Sequence, residues 1–162
     1  MVTESTQPPD DLLPVEGSES LMRRILKRLV EYDREKSPPI QIAAFLPTKR
    51  DVDGLSLNRR ISNQHKTFLT PESLKNWREV PDSIRETCGV VAVLATAARE
   101  IGLTVKTDPA TTPGHVLIEE INWDDFAGDR RTDESHDKIL GWALQLTRNA
   151  VVLIAPGKSK MT

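Results

Sequence analysis

The chain has 162 residues, of which 38% are hydrophobic and 28% are charged, and its formal net charge is −2. Its single cysteine, Cys88, excludes an internal disulfide and any zinc site that needs two cysteines from one chain. No apolar run approaches the roughly 20 residues that span a bilayer, and the first 20 residues hold neither Lys nor Arg, so we expect no membrane partner, no secretory leader and a cytoplasmic location.

An amphipathic helix is predicted near the start of the chain, over residues 20–35. Leu21, Ile25 and Leu29 recur at a spacing of four, and Arg and Lys residues occupy the other side. Two prolines follow Ser37 and end the helix, because the residue before a proline is disfavoured in a helix. Such a helix can pack on the protein's own core or dock in the groove of a partner.

Short strands and turns are predicted to follow this helix. The apolar residues 40–46 favour a strand, and Leu55 to Leu57 favour a second strand that returns from a turn at Asp53. Thr70 and Pro71 indicate the start of a short helix, as the cap and the first helical residue. Further strands are predicted over 103–106 and 115–121.

Residues 84–101 allow two interpretations. A buried strand over 89–94 can precede a helix, or the whole of 83–101 can be one helix. Gly89 and the two valines after it cost a helix about 1 kcal/mol or more, which favours the strand followed by a helix. Gly102 is suited to end that helix in the left-handed conformation.

The end of the chain predicts a helix over 133–147 and a final, fully buried strand over 150–155. Together these elements predict an α+β fold with a small mixed sheet, an N-terminal amphipathic helix and a C-terminal helix-strand extension. The predicted organisation is a disordered tail over 1–17, one domain over 18–157 that comprises the helix 20–35, a core module 40–121 and an extension 122–157, and a frayed tail over 158–162.

Asp51 and Asp53 are the first candidate site residues. They overlap the opening half of a calcium loop, but the first ligand position falls on Lys49 and the closing acid on Arg60, so no metal site is predicted. Aspartates in such a turn often bond their own backbone. The alternative is a ligand site in which the two carboxylates and Arg59 lie on one exposed loop.

His115 is the remaining candidate. It follows two turn residues at the mouth of a predicted strand, where an imidazole can act as an acid or a base near neutral pH. It can equally make one backbone hydrogen bond at a strand start. We expect His115 to be partly exposed and to lie on the same face as the loop from Asp51 to Arg59. Cys88 precedes an apolar run and is expected to be a buried small hydrophobe.

The middle of the chain resembles a set of small bacterial proteins. The shared pattern is Ala44-Phe45-x-Pro47 followed by Asp51-x-Asp53-Gly54-Leu55-Ser56-Leu57, and later a histidine that opens a strand, here His115. The resemblance covers residues 40–121. It implies a common core module and carries no particular activity, substrate or cofactor.

Two functions are compatible with these features. The first is a non-enzymatic interaction module that binds another protein, or a second copy of itself, through the helix 20–35. The alternative is an enzyme or ligand-binding protein whose catalytic candidates are Asp51, Asp53 and His115, with Arg59 binding a phosphate-bearing or nucleotide ligand. No cofactor is expected. Nucleic acid is not an expected partner, since aromatic residues make up only 4% of the chain.

Overall fold

A computed structural model describes residues 13–26, 31–62, 68–108 and 114–157. The fold is α+β, as the sequence predicts. The strands are β1 (Ser20–Ile25), β2 (Leu55–Arg59), β3 (Gly89–Leu94), β4 (Lys106–Thr107), β5 (His115–Ile118) and β6 (Val151–Ile154). The helices are α1 (Pro71–Lys75), α2 (Asp82–Arg85), α3 (Ala95–Glu100), α4 (Trp123–Phe126) and α5 (Asp133–Asn149).

The strands form one sheet in the order β4-β5-β2-β1-β3-β6. Every pair of neighbouring strands is antiparallel, so the predicted mixed sheet is corrected to an antiparallel one. Parallel neighbours need a crossover connection, usually a helix, between them. In the described ranges, the strands that follow helices are instead antiparallel to their neighbours in the sheet.

The predicted helix over 20–35 is wrong. Its first part, Ser20–Ile25, is the strand β1, which pairs with β3 along its whole length and with β2 at Leu21 and Met22. The strand is therefore inside the sheet with a neighbour on each side. A docking helix cannot be formed by this segment while the sheet is intact.

The remainder of that prediction divides in two. Residues 27–30 lie outside the described residues. After them, Tyr32 and Ile40 form an isolated antiparallel bridge around a turn, which is incompatible with a helix that continues to residue 35.

The strand predicted over 40–46 is also wrong, because Ile42–Phe45 forms a 3₁₀ turn. Ala44 and Phe45 are adjacent and both fully buried. An extended strand would send consecutive side chains to opposite faces, whereas a helical turn can direct both toward the same core.

Elsewhere, the predictions made from helix caps and glycines agree with the structure. Thr70 caps α1, as its side chain accepts a hydrogen bond from the Ser73 backbone N–H. The strand-then-helix interpretation of residues 84–101 is confirmed by β3 and α3, and Gly102 has a positive φ of 92°. The predicted C-terminal helix and strand are α5 and β6. The strand is not fully buried, however, because β6 is at the edge of the sheet and the Val151 side chain is 56% exposed.

The main core lies on one face of the sheet, beneath α3, α5 and the 3₁₀ turn. The strand residues that contribute to it are Leu21, Ile25, Leu55, Leu57, Val91, Val93, Val116 and Ile118. A smaller cluster lies on the other face, where α1 covers Met22, Val90 and Ala92. None of the described helices is long and apolar enough to cross a membrane.

Residues just before β1 are packed against the sheet. Val15 is buried, and the carbonyl oxygens of Gly17 and Glu19 accept hydrogen bonds from Thr96 and Ala95 at the start of α3. Val15 and Gly17, which fall within the predicted disordered tail over 1–17, are therefore part of the folded domain. Residues 1–12 and the predicted frayed tail 158–162 lie outside the described residues.

Candidate functional site

The four candidate residues lie at two ends of β2. Asp51 and Asp53 precede the strand, whereas Arg59 is its last residue. His115 is beside this last residue, because it pairs with Asn58 in the adjoining strand β5. Five residues of strand separate the two ends by about 13 Å. The expected convergence of all four residues on one face is therefore wrong. Arg59 and His115 share one end of the sheet, but their side chains are on opposite faces, because His115 is opposite Asn58 and side chains alternate along a strand.

Asp51 stabilises the loop that leads into β2. Its side chain is 5% exposed, and Oδ2 accepts hydrogen bonds from the Thr48 backbone N–H (2.7 Å) and hydroxyl (3.2 Å). The Arg23 Nη2 atom lies 3.5 Å from the same oxygen. The carboxylate thus has the structural role that aspartates often have in turns. Asp53 is exposed two residues further on.

Arg23 is a structural residue that the sequence did not reveal. Its Nε donates to the carbonyl oxygen of Ala44 (2.7 Å), and Nη1 donates to that of Ser56 (2.9 Å). The guanidinium therefore joins β1 to the 3₁₀ turn and to β2. Five N–H donors in one rigid group make arginine suited to such a position.

Arg59 is fully buried and already has several partners. Its Nε and Nη2 atoms each lie 2.7 Å from an oxygen of the Glu19 carboxylate. Its Nη1 donates to the carbonyl oxygen of Leu13 at 2.6 Å, and its guanidinium lies 4.6 Å from the centre of the Phe68 ring. A ligand phosphate would have to displace these groups. The structure gives Arg59 a structural role, and the ligand-binding role stays a prediction.

His115 has a carboxylate partner, although a different one from those expected. Its Nδ1 lies 2.9 Å from the Asp108 carbonyl oxygen and 3.1 Å from the Asp108 Oδ2. The side chain is 13% exposed. A carboxylate at Nδ1 orients the ring and favours the tautomer in which Nε2 can accept a proton. This pair could provide a base.

Cys88 is buried, as expected, and its Sγ lies 3.7 Å from the Lys75 carbonyl oxygen. Burial raises the pKa of the Cys88 thiol, and the nearby Lys75 and Arg24 charges oppose this only in part. Cys88 directly precedes β3, which two strands separate from β5 and His115. The two residues therefore do not form a nucleophile and base.

A cleft of about 290 Å³ lies along α5 and is lined by Glu120, Asp125, Glu134, Lys138 and Trp142, among others. Its acids have protein partners: Glu120 accepts from Thr104, Asp125 from Asn122, and Glu134 pairs with Lys138. The described residues contain no group of three or more side chains that could hold a metal ion.

The outer edge of β6 is a second candidate surface. No strand in the described ranges pairs with it. The exposed large hydrophobic residues of those ranges are Val52, Leu94, Leu144 and Val151. Two of them meet at this edge, because Val151 is opposite Ala92 and therefore diagonal to Leu94 on the same face of the sheet.

Comparisons with known proteins add no further assignment. No family model matches the chain, and no curated protein or solved structure matches it significantly.

Proposed function

We propose that the protein is an interaction module that binds an extended polypeptide segment along the outer edge of β6. The observation that carries this proposal is an edge strand made only of Val151, Val152, Leu153 and Ile154. An edge strand presents N–H and C=O groups to which another strand can add. Main-chain hydrogen bonds would supply affinity, and alternate side chains would supply specificity.

The two edges of the sheet differ in a way that supports β6 as the binding edge. β4 is two residues long and includes the exposed Lys106. Short length and lysine are devices by which proteins prevent strand addition. β6 has neither a charge nor a proline, and it is twice as long. These differences support the edge of β6, rather than that of β4, as the one that accepts a partner strand.

The apolar side chains near this edge add a second contact. Val151 and Leu94 are 56% and 47% exposed on the same face of the sheet. A strand added beside β6 would place every second side chain on this face. Valine, isoleucine or an aromatic residue at such a position would cover the patch formed by these two residues.

A peptide selection tests this proposal. A library of random ten-residue peptides is displayed on phage and selected on the full chain. The enriched peptides should be rich in β-branched residues, should shift the backbone amide signals of β6 in NMR spectra, and should lose binding to the Val151→Lys variant.

Val52→Lys is the matched control, since Val52 is 45% exposed and precedes β2 at a distance from β6 in sequence and sheet order. The control should bind the selected peptides as the unaltered chain does. Peptides that bind Val151→Lys equally well, or that shift signals elsewhere, would refute strand addition at β6.

A ligand-binding or enzymatic function is a second candidate, and the contact between Asp108 and His115 is its supporting observation. Binding of phosphate or a nucleotide there would shift the His115 imidazole signals in NMR spectra. His136, whose Nδ1 contacts the Phe126 carbonyl oxygen on α5, is an internal control. Equal shifts at both histidines, or none, would remove this candidate.

A further inference from the structure

We propose that Arg24 and Arg50 bind the phosphate group of a small molecule, at the end of the sheet where β1 finishes and β2 begins. The antiparallel pairing of β1 with β2 places Arg24 at this end. The inference goes beyond strand addition at β6 and does not depend on it, because β3 lies between β1 and β6.

The Arg24 guanidinium has N–H donors that the protein does not use. Arg24 is half-buried, and its Nη1 donates to the Leu74 carbonyl oxygen in α1 at 3.1 Å. An arginine has five such donors. Within the described residues, the Nε and Nη2 atoms of Arg24 have no hydrogen-bond partner, yet neither atom is sealed from solvent. A ligand can therefore reach the open side of this group.

The charges around Arg24 are mainly positive. Burial is the largest cause that lowers the pKa of Arg24, and the positive charges of Arg23 and Arg50 add to it, whereas the Cys88 side chain opposes it. No carboxylate is among these groups. A bound anion would offset both the repulsion between the arginines and the cost of burying the charge.

The acids of the loop before β2 do not neutralise this surplus. The Asp51 carboxylate lies 3.5 Å from the Arg23 Nη2 and also accepts hydrogen bonds from Thr48. Asp53 is exposed and is not among the groups that shift the Arg24 pKa. Arg50 is exposed on the same loop and forms no ion pair within the described residues. Arg24 and Arg50 are thus left without a carboxylate partner in this part of the structure.

The chemistry of the two arginines favours a phosphate over a carboxylate. The planar guanidinium binds either group through two parallel N–H···O bonds. A phosphate monoester carries a charge of about −1.5 to −2 at pH 7, which matches two arginines better than a single carboxylate does. Arg59, at the opposite end of β2, has its donors occupied by Glu19 and Leu13, whereas those of Arg24 are available.

Titration of the full chain with sodium phosphate, followed by the backbone amide signals in NMR spectra, tests the site. The signals of residues 23–25 and 48–52 should shift and saturate, and sodium acetate at the same ionic strength should leave them unchanged. Adenosine monophosphate should shift the same signals. A lower dissociation constant for this nucleotide than for inorganic phosphate identifies an organic phosphate as the ligand, and equal constants identify free phosphate. Either result supports the site.

Three variants test the residues. Arg24→Gln removes the charge but keeps an amide N–H for the Leu74 carbonyl oxygen, and it should weaken phosphate binding about tenfold or more. Arg50→Gln should weaken binding about twofold to fivefold, because Arg50 is exposed. Arg148→Gln is the matched control, since Arg148 is exposed on α5 and forms no ion pair within the described residues. It should bind phosphate as the unaltered chain does.

Thermal unfolding separates binding from a purely structural role of Arg24. Phosphate at a hundredfold excess over its dissociation constant should raise the melting temperature of the unaltered chain by about 5–10 °C. The rise should persist in Arg148→Gln and largely disappear in Arg24→Gln. Without phosphate, Arg24→Gln should melt no lower than the unaltered chain, because the variant lacks a half-buried charge that has no counter-ion.

An equal rise in Arg24→Gln would show only the general stabilisation that phosphate salts give, and it would overturn the inference. Amide shifts that do not saturate, or that acetate also causes, would overturn it as well. If Arg24→Gln does not fold, the affinity of Arg50→Gln decides, since an unchanged value contradicts the site and a weaker one supports it.

The outcomes also separate this site from the proposed function. Phosphate that shifts the His115 signals, and not those of residues 23–25, refutes the site at Arg24 and leaves the second candidate function standing. Selected peptides that bind away from β6 refute strand addition and leave the phosphate site intact.

Discussion

Glu19 and Arg59 form a two-point ion pair inside the protein, with two N–O distances of 2.7 Å. The Arg59 side chain is fully buried, and that of Glu19 is 11% exposed. The pair connects the residue before β1 to the last residue of β2. Together with the hydrogen bond from Arg59 to the Leu13 carbonyl oxygen, it attaches the chain before β1 to the sheet.

Glu19→Gln should destabilise the protein, because it leaves the buried Arg59 charge without its counter-ion. Removal of one partner from a buried pair costs about 3–5 kcal/mol. Urea denaturation measures this loss. The control is Glu119→Gln, since Glu119 is 52% exposed and lies 3.8 Å from Lys106, where an ion pair contributes about 1 kcal/mol or less. Equal losses for the two variants would show that burial of Arg59 is unimportant.

Gly114→Ala should be more damaging than Gly102→Ala. Both glycines have a positive φ, 72° and 92°, so an alanine is strained at either position by about 1–2 kcal/mol. Only at Gly114 would the new Cβ lie 2.9 Å from the Phe68 ring and 3.1 Å from the Arg59 Cβ, whereas nothing lies within 4 Å of it at Gly102. We expect a further loss of about 1–3 kcal/mol at Gly114, measured by thermal unfolding. Similar melting temperatures would contradict this crowding.

The Cys88 thiol should react slowly in the folded protein. It is buried, and burial raises its pKa, so both access and the thiolate fraction are reduced at mildly alkaline pH. Reaction with a chromogenic disulfide should be on the order of a hundredfold slower than in urea, because it requires local opening. A native rate close to that of the unfolded chain would show that the thiol is accessible.

Asp125 should contribute stability that depends on pH. The hydrogen bond from Asn122, and then Arg130, lower the pKa of the Asp125 carboxyl in the folded protein. Its pKa in the unfolded chain is about 3.9. The contribution is therefore present above that pH and is lost as the pH falls through the lower, folded-state pKa.

Urea denaturation of Asp125→Asn and the unaltered chain measures this effect. The difference in their free energies of unfolding should shrink between about pH 6 and about pH 3. The nearby Asp129→Asn is the control, since the Asp129 side chain is exposed and makes no hydrogen bond within the described residues. A difference for Asp125→Asn that is constant over this range would contradict the lowered pKa.

The elements that the sequence predicted correctly are those with local signals. A cap and a proline mark α1, and Gly89 with its valines separates β3 from α3. β1 was misread because a spacing of four is even, so Leu21 and Ile25 share a face in a strand as well as in a helix. The intervening Arg23 concealed the alternation, since its partners on the 3₁₀ turn and β2 are distant in sequence.

The predicted convergence of the site residues was wrong for a related reason. The prediction assumed that Asp51 and His115 lie on the same face of the sheet. Strand order and register decide which loops are neighbours, and one sequence reveals neither the order nor the register. The sequence did contain a signal for the actual partner of His115, namely the two strands predicted over residues 103–106 and 115–121. Pairing them as a hairpin places Asp108 beside His115, as the structure does. The burial of Arg59 had no local signal, because Glu19 is distant from it in sequence.

The central position of β1 also determines how the chain can fold. Ser20 pairs with Leu94, and Ile25 with Gly89, so the middle of the sheet closes only when the early strand meets one from the middle of the chain. Closing so long a loop costs entropy before any of the pairing is gained. Refolding should therefore be slow for a protein of this size. Until β3 pairs with it, β1 can form incorrect pairs with other segments.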